Sequence, residues 1–422
     1  MIGWARRTLG PIFEHEQLMM ITVSTVLVMM GQGVISPVLP LFSNKFGVGA
    51  AAIGLTLTSF GLARLVLNIP MGIAADRYGR RLLLVSGPII AAVGMVGSGL
   101  SGSLPELLAW RFIAGAGSAI YATGAQVFLA DVSTPATRAR YLGTNQGALL
   151  LGTSFGPAIG GFTADAWGLE APFLIVGLCS LVAGGYAYLR LPETRHLNPE
   201  APRPVAVAAG AAPPRTAWLQ LLLSRDFLLI AVMNAAIFLT RTGGRQTIMP
   251  LLGATTLGLS TASLGWIFSL MAIVNMLLVV PSSVIADRMG RKWSIVPSGV
   301  LVGLTMFMLA GTHSYWMFFS AAMLHSVAAS LSGPAPAAYA VDISPPGLRG
   351  LGMGMFRSGG DVGFMIGPPL VGFIADYSGF GAAMFANGVI MVAASVLFLL
   401  ATETGGRQVR ARQAAEAAPT AR

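Results

Sequence analysis

The chain has 422 residues, of which 55% are hydrophobic and only 10% charged, with a net charge of +10 and a mean hydropathy of +0.73. Soluble domains carry about 25% charged residues, so this composition excludes a soluble domain and gives an integral membrane protein. One cysteine, Cys179, leaves no internal disulfide and no thiolate metal cluster, and the four histidines (15, 196, 313 and 325) show no ligand spacing.

A bilayer core of ~30 Å takes about 20 apolar residues per helix. Twelve such spans are predicted in chain order, near 18–41, 51–74, 82–103, 106–128, 142–163, 170–190, 227–251, 261–285, 293–312, 314–338, 351–374 and 380–401. Residues 1–17, with Arg6, Arg7, Glu14 and Glu16, read as a cytoplasmic lead-in. They are not a cleavable signal, because the first apolar run is span-length and ends in no small-residue cleavage site. Residues 191–226, rich in proline, alanine and arginine, read as a flexible cytoplasmic linker between bundles 18–190 and 227–404, and 405–422 as a disordered cytoplasmic tail. With the N-terminus inside, the cytoplasmic loops and tails hold 20 of the 26 Lys and Arg, the opposite side holds only Lys45, and five arginines lie within spans. This is the positive-inside pattern, so the basicity reports topology and no nucleic-acid partner.

The second span closes with Gly72-x3-Asp76-Arg77-x-Gly79-Arg80-Arg81, and the eighth with Asp287-Arg288-x-Gly290-Arg291. Asp76 and Asp287 lie 211 positions apart, and the same offset carries Asp131 to Asp342, Arg138 to Arg349, Gly143 to Gly354, Gly152 to Gly363, Gly156-Pro157 to Gly367-Pro368, Gly161 to Gly372 and Asp165 to Asp376. A register held this far means two homologous six-helix halves. A weaker repeat lies inside each half: Gly161-x3-Asp165-x2-Gly168 closes the fifth span as Gly72-x3-Asp76-x2-Gly79 closes the second. One signature on opposite membrane faces fits a three-plus-three inverted repeat.

Three stretches then carry a resemblance. The fifth span reads Gly143-x8-Gly152-x3-Gly156-Pro157-x2-Gly160-Gly161. Glycine costs a helix about 1 kcal/mol and interior proline about 3, so this segment is built for close helix packing rather than for helicity. It resembles motif C of exporters in the major facilitator superfamily. The Gly72–Arg81 run resembles motif A, and Trp110-Arg111-x3-Gly115-x-Gly117 resembles motif B. The resemblance covers residues 18–404. It implies an all-α membrane protein of 12 transmembrane helices in two pseudo-symmetric six-helix bundles, working by alternating access as a monomer in the inner (plasma) membrane, without a cofactor or metal. It further implies a cytoplasmic latch in which motif A meets an acid at the end of the fourth helix. Asp131 and Arg138 match that position. Asp76 is expected to accept from Arg77, Arg80 or the N–H groups opening the next helix, where negative charge is favoured.

Ionisable residues inside spans are costly and mark function. They are Arg64, Arg111, Arg241, Arg245, Arg357 and a single acid, Asp361. Arg357 and Asp361 stand i,i+4 and share a helix face, either as a static ion pair or as the site where Asp361 loads and releases the coupling proton. Arg111 joins them as the motif-B arginine; its second-half equivalent is Ala322. Arg241 and Arg245 flank the paired glycines of the seventh span, which suggest a loosened helix, and two cations on one face would attract a carboxylate or phosphate. Arg64, Gln32, Asn68 and Asn275 complete the expected substrate contacts. The first span holds no acid, unlike many drug–proton antiporters.

The expected function is therefore a secondary transporter exporting a small amphipathic molecule, anionic or zwitterionic, in exchange for protons. Proton symport taking up an organic anion is the first alternative. A membrane-embedded enzyme or sensor is the second, and it lacks both a catalytic constellation and an extramembrane domain.

Overall fold

The structure, a computed structural model, describes residues 16–133, 137–194, 217–345 and 348–404. The predicted lead-in up to residue 15, the linker from 195 to 216 and the tail from 405 lie outside the described residues. All twelve predicted spans fall on helices. Among the described residues nine helical stretches are long and apolar enough to cross a bilayer, and one of them, Leu351–Phe398, contains both the eleventh and the twelfth span. The fifth and tenth spans are the helices Arg138–Trp167 and Tyr315–Ser332.

Several boundaries differ from the periodicity, each for a local reason. The first span is broken: helix Glu16–Ile35 stops before Pro37, and a short helix Leu39–Asn44 follows. The tenth ends at Gly333, whose φ is +42°, and restarts as Ala335–Asp342 after Pro334. Part of the predicted linker is ordered, as helix Ala217–Leu223.

The seventh span is the most irregular. Helix Arg225–Leu239 widens into a π-helix over Thr240–Ile248 and again over Leu252–Thr256. The Thr247 hydroxyl donates to the Thr242 carbonyl five residues back at 2.8 Å, matching the wider turn. The repeat supplies a further reason. Pro40 and Pro250 stand 210 positions apart but Gly47 and Gly258 stand 211 apart, so this helix carries one extra residue where the second wide turn lies.

The glycine–aspartate signature proves to be one device used four times. Gly79, Gly168, Gly290 and Gly379 close the second, fifth, eighth and eleventh spans with φ of 98°, 92°, 112° and 88°. Only glycine adopts that conformation at low cost.

The chain forms two compact units. One comprises Met1–Val48, Leu55–Pro204 and Leu259–Ala272; the other comprises Gly49–Gly54, Val205–Gly258 and Ile273–Arg422. In the first, the glycine stripe of the fifth span lies backbone to backbone on the first span. A Cβ at Gly152 would stand 2.8 Å from Met30 N and Val26 O, and one at Gly156 2.6 Å from Met30 O. Gly160 meets Val34 O in the same way, while Gly161 turns to Thr261 and Gly265. Pro157 interrupts the ladder, and the next N–H, that of Ala158, donates to the Ser269 hydroxyl at 2.7 Å. The second unit repeats the plan. Gly363 packs on Ala235, and a Cβ at Gly367 would stand 2.8 Å from Leu239 Cα. Residues 50 and 51, which belong to this unit, are held by Asp376, which accepts from the Ala50 and Ala51 N–H groups at 2.5 and 3.0 Å. Pro368 packs against Gly54 in that same unit.

One glycine expected to pack, Gly143, does not, and neither does Gly72 of the motif-A run. A Cβ at Gly143 or at Gly72 would meet nothing within 4 Å. Both sit near the arginine-rich end of their helices.

Candidate transport site and charge clusters

The arginine-rich ends carry two matching charge clusters. In the first unit Arg80 is 3% exposed, and its Nε donates to Asp131 Oδ2 at 2.7 Å, with both side chains withdrawn from solvent. Asp76 reaches Arg80 at 3.2 Å but is itself 64% exposed. Of the partners expected for Asp76, Arg80 is one it meets, and the next helix's N–H groups are not. The N–H groups of Arg80 and Arg81 donate instead to Glu193, at 3.0 and 3.1 Å. The turn at Gly79 leaves Asp76 on the outside, and the irregular segment after the sixth span brings Glu193 onto the helix start, where a carboxylate is favoured. Thr194 Oγ1 adds a bond to Asp131 at 3.2 Å. Arg81 donates to Tyr188 O at 2.6 Å and stacks on its ring, and Arg77 stacks on Tyr78. Arg138 opens helix Arg138–Trp167, but its side chain lies outside what the structure describes.

The second unit repeats this arrangement more loosely. Arg291 pairs with Asp287 at 2.6 Å and with Asp342 at 3.4 Å; Glu403 accepts from the Arg291 and Lys292 N–H groups at 2.7 and 3.2 Å; Thr404 donates to Asp342 at 3.2 Å. Arg288 lies in the last turn of its helix. Sequence reasoning missed Glu193, Thr194, Glu403 and Thr404. Their signal is the repeat itself, since Glu193-Thr194 and Glu403-Thr404 stand 210 positions apart.

The membrane-embedded polar residues divide between the units. In the first, Gln32 Nε2 donates to the Ser118 hydroxyl at 3.0 Å. Arg111 is 4% exposed and lies over the Phe60 ring, 4.7 Å from its centroid, with Nη1 3.8 Å from the Met95 sulfur. That placement removes any snorkelling of Arg111 to the surface. Thr25 donates to Asn145 Oδ1 at 2.7 Å and lies 2.9 Å from the Tyr121 hydroxyl. A hydroxyl has one hydrogen to give, so Tyr121 is the donor to Thr25. Arg64 is half-buried and engaged by neighbours, whereas Asn68 is exposed.

In the second unit the π-helix presents Arg241, exposed, and Arg245, half-buried. Thr240 donates to Asn387 Oδ1 at 2.8 Å, and Thr242 donates to Phe238 O at 2.8 Å. His325 Nδ1 lies 3.0 Å from Thr305 Oγ1, whose hydrogen is directed to Val302 O at 2.7 Å. The imidazole therefore carries its proton on Nδ1. Asn275 Nδ2 donates to Ser330 at 2.9 Å, so this expected substrate contact also holds a helix in place. Asp361 is half-buried and engaged, and Arg357, one turn earlier on the same helix, is exposed. Neither Asn387 nor His325 stood out in the sequence, because a lone amide or imidazole in an apolar helix has no spacing to betray it.

The family model described as Major Facilitator Superfamily matches residues 21–242 and 235–421. An uncharacterized MFS-type transporter of Methanocaldococcus jannaschii is 24% identical over 92% of this chain and 99% of its own length. Multidrug resistance protein 1 of Bacillus subtilis is 28% identical, over 44% of this chain and 48% of its own length. Among solved structures, the inward-facing, occupied form of a bacterial homolog of the human lysosomal transporter Spinster superposes with a TM-score of 0.72 at 20% identity, over 91% of this chain and 95% of that one. With its two repeated six-helix halves and a match along nearly its whole length, the chain belongs to the Major Facilitator Superfamily and is a multi-pass membrane transporter, not an enzyme.

Proposed function

We propose that this transporter is a proton-coupled antiporter that exports a small amphipathic anion or zwitterion by alternating access. One observation carries the reading: away from their end residues the spans hold five arginines and one acid, Asp361. A permanent cation in a span attracts an anionic group, and a lone carboxylate in a changing environment can cross neutral pH. In this reading Asp361 carries the coupling proton, Arg357 sets its electrostatic surroundings from the preceding turn, and Arg111 takes part in coupling from the first unit. Arg241, Arg245 and Arg64 receive the anionic part of the substrate, and Gln32, Asn68 and Asn275 its polar remainder. The motif-C glycines and the relative named for multidrug resistance support export. The clusters around Arg80 and Arg291 act as cytoplasmic latches, with both termini on that side of the plasma membrane and the protein working as a monomer.

The test is the direction of proton movement in everted vesicles with an acid interior. An exporter's substrate added outside releases protons as it enters. A symporter's substrate produces no such release and is instead driven out with protons, which would replace this reading by uptake.

A further inference from the structure

Arg111 has an electrostatic problem that its own unit does not solve. Its neighbours are the Phe60 ring and the Met95 thioether, its Nε has no hydrogen-bond partner, and among the described residues it makes no ion pair. Sulfur is a weak acceptor, and a guanidinium offers five N–H donors that it does not give up. A buried cation left in this condition is strongly disfavoured. Packing does not demand it either, since the equivalent residue of the other half is Ala322, fully buried.

A small cavity lies alongside, lined by Gln32, Phe60, Met95, Ala114, Ser118 and Ser180 among others. Phe60 and Met95 are the two groups Arg111 touches. Ala114 and Ser118 follow Arg111 by three and seven residues, and so stand on the same face of helix Leu104–Val132. The space accommodates about one water-sized particle. Its polar lining is rich in donors: Gln32 uses one amide hydrogen on Ser118 and keeps a second, and Ser118, accepting that bond, keeps its own hydrogen to give. Ser180, buried at 3%, adds a hydroxyl. Donors converging beside an uncompensated cation favour a negative charge over water.

We propose that Arg111 and this cavity form a binding site for one small monovalent anion of chloride's size and charge. Because arginine keeps its proton, Arg111 then influences coupling only through charge, and occupancy by the anion sets whether the interior of the first unit is positive or neutral. The proposal concerns equilibrium binding and stands or falls separately from the direction of transport.

The test uses the purified full-length protein, with chloride exchanged for gluconate at constant ionic strength, and follows the midpoint of thermal unfolding. The wild-type midpoint rises with the logarithm of chloride concentration, as a ligand bound only by the folded state requires. In Arg111→Met the midpoint is flat in chloride, and without chloride it is no lower than that of the wild type. Ser118→Ala, a milder change, moves the onset of the chloride response about tenfold higher in concentration, as loss of one hydrogen bond to a charged ligand does. Bromide in a crystal gives an anomalous peak within hydrogen-bond distance of the Arg111 guanidinium. A wild-type midpoint indifferent to chloride, an unchanged response in Arg111→Met, or bromide found only at the surface overturns the proposal.

Discussion

Replacing Gly156 by alanine tests the packing of the fifth span on the first. The added Cβ would lie 2.6 Å from Met30 O and 2.7 Å from Gly33 Cα. Relaxed contacts between carbon atoms lie near 3.5–4.0 Å, about 1 Å further out. All the obstructing atoms are backbone, so no side-chain rotation relieves them and helix Glu16–Ile35 has to move as a body. Overpacking of this kind costs about 1–3 kcal/mol, and a backbone obstruction belongs at the upper end. Alanine's better helix propensity returns about 1 kcal/mol, leaving a net loss of about 2 kcal/mol. Gly143→Ala in the same motif meets nothing within 4 Å and keeps only the gain. Cys179, the one cysteine and half-buried in helix Ala171–Arg190, provides the readout through a thiol-reactive dye during thermal unfolding. The Gly156 variant should unfold several degrees lower and the Gly143 variant no lower than wild type. Equal shifts in the two would refute a packing role for the stripe.

Asp131→Asn should cost more stability than Asp342→Asn, because Arg80 and Asp131 are each 3% exposed whereas Arg291 and Asp342 are 15% and 35% exposed; breaking a buried pair costs about 3 kcal/mol or more, lessened here because Arg80 keeps the exposed Asp76, and denaturation midpoints of the two variants decide. Glu193→Gln should lower stability by about 1 kcal/mol through loss of a charged helix cap, and Glu403→Gln by a similar amount, measured the same way. Lys45 holds the Glu170 carboxyl below its ordinary value of 4.5 through the hydrogen bond between them. A depressed folded-state value means that the pair's stabilisation is present above pH 4.5 and is lost as pH falls below it. The pair is about half exposed, so the effect is small; Lys45→Met should flatten the stability profile in that acid window and lower stability slightly at neutral pH, where the pair is intact.

Much of this fold was legible because membrane insertion and gene duplication both leave strong patterns. Span length fixed the twelve helices, and the 211-residue offset paired the halves. The turn glycines were legible because a positive φ admits little else. The breaks were harder to see. Pro37 and Gly333 interrupt spans that hydropathy alone runs straight through, and the π-turns of the seventh span appear only when the offset is followed through its change from 210 to 211. Charge partners were the least legible. Capping the following helix was one of three roles open to Asp76; it pairs with Arg80 instead, and Glu193 holds the cap position from more than a hundred residues away. Sequence separation hides such contacts unless the second copy, Glu403, is compared with the first.

The central claim, that Asp361 couples proton movement to export, is tested most directly with the purified protein reconstituted in liposomes under an imposed pH gradient. Wild type and Asp361→Asn are compared for proton flux evoked by a panel of anionic, zwitterionic and cationic compounds. The account predicts that an anionic or zwitterionic compound evokes flux in wild type and that Asp361→Asn abolishes it while still binding the compound. Equal flux in the two proteins would contradict it and leave Asp361 a structural partner of its helix.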